Sequence, residues 1–306
     1  KETFGQKTRR SHKRNQRVVM FWCAFVFAFV IAGVWLFRGT LFQNDSGASS
    51  SGTNQSRHDA CGTADSRQKS TDVTQAPMDH EVCQKLQDLV SQDQRVQQVI
   101  DNCEIYPEDI LKMLSRNLDM LNFVLEYPEK VGQVFAETVG EVEGGEVPLL
   151  LQYDQRWGYG DYGNSSVAVS GCGPACLSMV ITSLTGDDTI TPYVVAQYAS
   201  EQGYYVPGAG TAWTLMSEGA KHFGVIGEEL PLTKSIMEGV LKEGRPIICS
   251  MRPGDFTTTG HFIVITGIKD GQFTVNDPNS TERSNMLWDY DTLKPQISNL
   301  WAFQAL

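Results

Sequence analysis

The segment Ser170-Gly171-Cys172-Gly173-Pro174-Ala175-Cys176 constrains the fold most, because it marks where a loop ends and a helix begins. Proline holds φ near the helical value and lacks the N–H that a first turn leaves unpaired. Pro174 therefore fits an opening turn, and the spacing predicts a helix over 173–184. Gly171 and Gly173 let another backbone approach the thiol between them. A cysteine so placed lies among unpaired backbone N–H groups at the positive end of the helix dipole, which favours thiolate over thiol. Further helices are expected over 192–202, 212–223 and 234–243, and strands over 246–251, 261–268, 272–276 and 301–305. A short strand over 149–153 and a Gly/Tyr-rich loop precede them. Helices first and an antiparallel sheet after is an α+β layout, and the stretch 147–306 is long enough for one domain with a sizeable core.

Cys172, His261 and Asp277 follow one another in the order nucleophile, base and orienter. His261 leads an apolar strand, where a lone histidine is more often a satisfied structural group. The next hairpin bears on this. A three-residue loop over 269–271 sets Asp277 opposite Ile263, on the sheet face of His261, whereas a two-residue turn at Asp270-Gly271 pairs it with Val264 on the other face. The chemistry therefore requires a bulged or longer loop. An oxyanion formed at the thiolate needs donors: the Cys172 N–H and a side-chain amide, for which Gln152 is the candidate and Gln155 the second choice. Cys176 and Cys249 read as core, and no second Cys or His pair stands at zinc-site distance from Cys172-x-x-x-Cys176. Gly208–Trp213 is expected at the rim of the cleft, with Thr211 capping the following helix and Trp213 either core or substrate contact. Asp154 and Trp157 read as structural residues that close the long loop.

Twenty residues over 18–37 carry no charge, and twenty helical residues span about 30 Å, the thickness of a bilayer core. Residues 1–17 hold seven Lys/Arg and one Glu. A basic flank on that side predicts a single transmembrane helix with a cytoplasmic tail and everything beyond it outside the cell. The competing reading, a cleaved signal peptide, is disfavoured by the length of the run and by the lack of a small-x-small motif after it. Residues 38–78 are polar and Gly/Ser-rich, a flexible linker. Over 79–146 apolar residues recur at spacings of three and four, predicting a helical segment; its second helix opens at Pro107-Glu108 and ends at Tyr127-Pro128. That segment is assigned no chemistry, only docking. Outside the cell Cys83 could pair with Cys103, and nothing in the spacing fixes the pairing of these or of Cys61. The net charge is −11 and everything beyond the basic tail is more acidic still, so nucleic acid is a poor partner.

Gln152, Gly171-Cys172-Gly173-Pro174-Ala175 with Met179 inside the helix, Gly260-His261-Phe262-Ile263-Val264 and Asn276-Asp277-Pro278 together resemble the bacteriocin-processing-type, papain-fold cysteine peptidases. The likeness is to the stand-alone, secreted or membrane-anchored branch of Gram-positive bacteria. It covers 147–306, and the helical segment resembles the N-terminal extension of that branch. The resemblance implies a papain-like fold with Cys172 as nucleophile, His261 as base, Asp277 as orienter and Gln152 as oxyanion donor. It also implies a peptide or protein substrate and no metal or organic cofactor. No Gly-rich Lys-Ser/Thr loop is present, so ATP-coupled secretion does not carry over. The expected protein is a membrane-anchored extracellular cysteine peptidase. Two alternatives stand beside it: a cell-wall peptide or amide hydrolase of the same fold, and a non-catalytic surface binding protein.

Overall fold

The computed structural model describes residues 78–306. The predicted basic tail, the apolar run over 18–37, all but the last residue of the linker, Cys23 and Cys61 lie outside the described residues. Among the described residues no helix is long and apolar enough to cross a membrane.

The helical segment consists of α1 (His80–Val90), α2 (Val96–Asp101), α3 (Glu108–Leu114) and α4 (Leu121–Lys130). Asp79 caps α1 by accepting from the Glu81 N–H at 2.8 Å. The helix expected from Pro107 to Tyr127 is divided. α3 stops at Leu114, and Asn117 then caps a 3-10 turn, Leu118–Met120, before α4 begins. Pro128 lies inside the last turn of α4 instead of ending it. Leu86, Val99, Ile110, Leu114, Phe123 and Val124 close a core that also buries Tyr153, Tyr159 and Ala168 from farther along the chain.

Beyond the segment the architecture is α+β. Two short strands, β1 (Asp161–Tyr162) and β2 (Ser165–Ser166), form a hairpin before α5 (Val167–Ser170) and the long α6 (Cys172–Thr185). The stretch 149–153, expected as a strand, belongs to no strand; the backbone N–H of Gln152 instead donates to the Pro278 carbonyl at 2.8 Å. After α6, closed by Gly186 in the left-handed region (φ 72°), come α7 (Pro192–Glu201) and a second small hairpin, β3 (Tyr205–Val206) and β4 (Gly210–Thr211). The helix expected over 212–223 is a single turn, α8 (Thr214–Ser217), followed by a 3-10 stretch. Thr211 does not cap it; its hydroxyl bonds to that of Tyr162 at 2.8 Å.

The main sheet is antiparallel with strand order β5-β10-β6-β7-β8-β9. These strands are β5 (Val225–Glu229), β6 (Ile247–Met251), β7 (His261–Lys269), β8 (Gln272–Asn276), β9 (Leu287–Trp288) and β10 (Ile297–Ala305). Strand alternation divides its side chains between two cores. Ile248, Phe262, Val264, Trp301 and Phe303 pack with α6, while Ile247, Cys249, Ile263, Ile265 and Ala302 pack with Met237 of α9 (Lys234–Lys242).

The β7–β8 hairpin carries the register on which Asp277 depends. Lys269 pairs with Gln272 across a two-residue turn in which Asp270 (φ 53°) and Gly271 (φ 79°) both take positive φ, the geometry that suits the twist of a tight hairpin. The register then shifts between Ile265 and Gly267, leaving Thr266 as an extra residue on β7. Past that bulge Val264 pairs with Asn276, so the next position, Asp277, falls opposite Ile263. The turn is the short one that alone would have misdirected Asp277, and the bulge corrects it.

The head of α6 is packed without slack. A Cβ on Gly173 would lie 2.6 Å from Thr211 Oγ1 and 2.8 Å from Thr211 Cβ. Gly173→Ala is expected to cost about 1–3 kcal/mol through overpacking, read as a lower midpoint in urea unfolding; an unchanged midpoint would contradict this contact.

Candidate active site

Three elements converge on one cavity of about 560 Å³, lined among others by Gln152, Cys172 and His261. Cys172 is the first residue of α6. The chain reaches it through α5, which Gly171 closes by donating its N–H to the Val167 carbonyl at 2.8 Å; a Cβ on Gly171 would meet that oxygen at 2.4 Å. Glycine is thus required where one helix ends and the next starts. Cys172 is half-buried at the first turn of a helix, whose opening N–H groups have no partner within the helix.

His261, the first residue of β7, is buried, and its Nε2 lies 2.7 Å from Asp277 Oδ1. The Cys172 sulfur lies near enough to the same imidazole to favour its protonated form. With Nε2 taken by the carboxylate, Nδ1 is the nitrogen left for sulfur. Burial alone pushes an imidazole pKa down. Here the Asp277 carboxylate and then the Cys172 sulfur outweigh it, and His261 is raised from 6.5 to about 10.

Asp277 is fully buried, which works to raise its pKa, yet His261 and Arg283 hold it below the usual carboxylate value. Its oxygens are well supplied. Arg283 Nε donates to Oδ2 at 2.5 Å and the Asn279 N–H to Oδ1 at 2.7 Å. Arg283 was not among the residues nominated from the sequence. It is brought back by α10 (Thr281–Ser284), one turn capped by Ser280, whose hydroxyl accepts from the Arg283 N–H at 3.1 Å. The signal was present in Ser280-Thr281-Glu282-Arg283, a capping serine three residues before a cation, directly after Asn276-Asp277-Pro278.

Gln152 is buried, and its Nε2 donates to the Ala168 carbonyl at 2.6 Å. That bond orients the amide, and the same Nε2 also reaches the Val169 carbonyl at 3.5 Å, while Oε1 is buried without a partner. Gln155 is turned elsewhere: its amide donates to the Asn122 carbonyl at 3.1 Å and to Glu126 at 3.0 Å, both on α4. Trp213 is 47 % exposed, tethered by its Nε1 to Ser250 Oγ at 3.1 Å and edge-on to Trp301. Trp157 is buried with its indole N–H on the Leu151 carbonyl, and Asp154 pairs with Arg156 at 2.8 Å. Burial raises the thiol pKa of both Cys176 and Cys249. Among the described residues no group of three or more His, Cys, Asp or Glu could hold a metal ion.

The family model described as Peptidase_C39 like family matches residues 145–304, just over half the chain and nearly all of the α+β part. No curated protein matches the chain.

The raised imidazole has a definite linkage sign. Folded His261 keeps its proton where the unfolded chain has released it, so this stabilisation is complete below about pH 6.5 and is lost as pH climbs through about 10. The Asp277 contribution runs the other way, present above its ordinary value of 3.8 and lost on acidification through its lowered one. In an NMR titration Asp277→Asn is expected to drop the His261 pKa back towards 6.5 and to flatten the alkaline loss of Tm. Deleting Thr266 is expected to do the same with the sheet retained by circular dichroism, since Asp277 then faces away.

Proposed function

Because the chain belongs to the Peptidase_C39-like family, we propose that it is a cysteine-type peptidase that cleaves peptide bonds through Cys172, His261 and Asp277. One observation carries the reading: a single buried imidazole with Asp277 Oδ1 2.7 Å from Nε2 and the thiol at the head of α6 near enough to help hold its proton. A base held from one side by a carboxylate and facing a nucleophile on the other is the arrangement acyl transfer requires.

In the proposed cycle Cys172 Sγ, its proton held by His261, attacks the scissile carbonyl carbon, and the carbonyl π pair moves onto oxygen. That oxyanion is met by first-turn N–H groups of α6 and by the side-chain amide of Gln152, which exchanges its long contact with Val169 for the oxyanion. As the oxyanion collapses the C–N bond breaks, His261 gives its proton to the departing amine, and a thioester on Cys172 remains. Water then attacks the thioester while His261 takes its proton. The C–S bond breaks, the acid leaves, and the sulfur and imidazole return to their starting state. Asp277 stays ionised throughout; its task is to hold Nε2, so that Nδ1 points at sulfur.

In this reading the substrate is a peptide or protein and the fold is papain-like. The domain over 147–306 is preceded by the helical segment over 79–146. The apolar run over 18–37 anchors the chain in a membrane with the basic tail inside and the peptidase facing outward, as in the stand-alone branch of Gram-positive bacteria. The charge asymmetry across that run supports the orientation.

Cys172→Ala is expected to abolish both peptide hydrolysis and iodoacetamide labelling at that position with far-UV circular dichroism unchanged. Gln152→Ala is expected to lower kcat by about 10²-fold, as for loss of one oxyanion donor. A Cys172→Ala protein that cleaves as well as the parent would falsify the assignment.

A further inference from the structure

The cavity at Cys172 has a wall that the peptidase domain does not make. Leu89 at the end of α1, Met113 on α3 and the turn Arg116-Asn117-Leu118 line it from the helical segment, facing the loop over 254–260 that leads into His261. Consecutive residues of that turn tie the segment to both loops flanking the candidate base and its orienter. Arg116 Nη1 donates to Thr258 Oγ1 at 3.4 Å, and Asn117 Nδ2 donates to the Asn279 carbonyl at 2.8 Å. Arg116 and Thr258 are both exposed and both line the cavity, so their contact crosses its rim.

The wall is fixed. Phe123 of α4 stacks on Tyr159 with ring centroids 4.3 Å apart, and the Tyr159 hydroxyl donates to the Phe123 carbonyl at 3.1 Å. Tyr153, Tyr159 and Ala168 are buried inside the core of the segment. A groove open at both ends lets a polypeptide run past a nucleophile in both directions, whereas a partly open cavity walled on one side and bridged at its rim by the Arg116–Thr258 contact favours entry by a chain end. At about 560 Å³ the chamber is in the range that holds a drug-sized ligand, and an extended chain advances about 3.3 Å per residue, so only a few residues fit. Leu89, Met113 and Leu118 contribute apolar surface to a lining that is otherwise mostly polar, with Arg116, Asp119 and Asp255 among its residues.

We propose that the helical segment is the substrate-selecting wall of this site. The preferred substrate is a short peptide or a free chain end, not the interior of a long polypeptide. The proposal rests on the peptidase reading above for its reaction, and on the wall alone for its selectivity.

Calorimetric titration of the Cys172→Ala protein separates binding from turnover. The probe is the peptide Ala-Leu-Ala-Ala, free and embedded at the centre of a Gly/Ser chain roughly four times as long. Embedding is expected to weaken binding by about tenfold or more, and Arg116→Ala in the same background to recover most of that loss. Met113→Trp, which fills the wall, is expected to weaken the free peptide by about tenfold. Equal affinity for the free and embedded forms overturns the proposal, as does an Arg116→Ala protein that keeps the full difference; the exposed Arg116 provides this test even where Met113→Trp fails to fold. The parent protein then separates the two readings. If it hydrolyses neither peptide while the binding pattern holds, the peptidase assignment fails and the wall stands. If it hydrolyses both with equal kcat/KM, the wall fails and the assignment stands.

Discussion

A carboxylate buried completely in a protein is tolerated only where other groups supply what water has withdrawn, and Asp277 is such a carboxylate. Its partners arrive from three places: His261 from the start of β7, Arg283 from α10, and the Asn279 N–H from the turn between them. Each partner imposes a structural demand. The imidazole needs β7 and β8 in one particular register. The guanidinium needs a capped single turn immediately after Pro278. The backbone amide needs a tight turn that returns on the side chain. Much of the local structure over 261–284 is the set of conditions under which one negative charge can stay ionised out of water.

The same charge sets the electrostatics of its neighbours. It outweighs the burial that would otherwise keep His261 neutral, and the imidazole in turn helps hold Asp277 ionised. Removing Asp277 leaves a buried imidazole without its carboxylate, whereas removing His261 leaves Asp277 with Arg283 and the Asn279 N–H. Gln152 belongs to the same assembly by a different route. Its backbone N–H is on the Pro278 carbonyl and its side chain is on Ala168, just before α6. The loop after Asp277 and the approach to Cys172 are thus joined through one residue.

Where a feature is written in local chemistry, the sequence was legible. Gly-Cys-Gly-Pro marks the head of α6 because glycine and proline act through their own backbone restrictions, and β6, β7 and β8 show in runs of β-branched residues. Asp270-Gly271 is a turn signal with a known register. That register alone sends Asp277 to the wrong face, because the bulge at Thr266 carries no compositional mark: Ile265-Thr266-Gly267 reads as continuous strand. Val225–Glu229 was missed as a strand because its Gly and paired Glu residues mask the alternation, and it gains its place by pairing with β10. The helical segment was legible as helices and not as a cavity wall, since Leu89 and Met113 look in the sequence like any other apolar positions of an amphipathic pattern. Gln155 is the second choice by position; the fold shows it committed to α4.

The shared core around Phe123 and Tyr159 bears on how such a molecule could be switched on. A segment severed by a cut departs only where its remaining non-covalent contacts are weak. Here a nick anywhere over 131–146 would sever the backbone and leave the aromatic stack, the buried tyrosines and the Asn117–Asn279 bond intact. The two fragments would remain associated and melt as one, so maturation by clipping at that junction would change the chain count without uncovering the thiol.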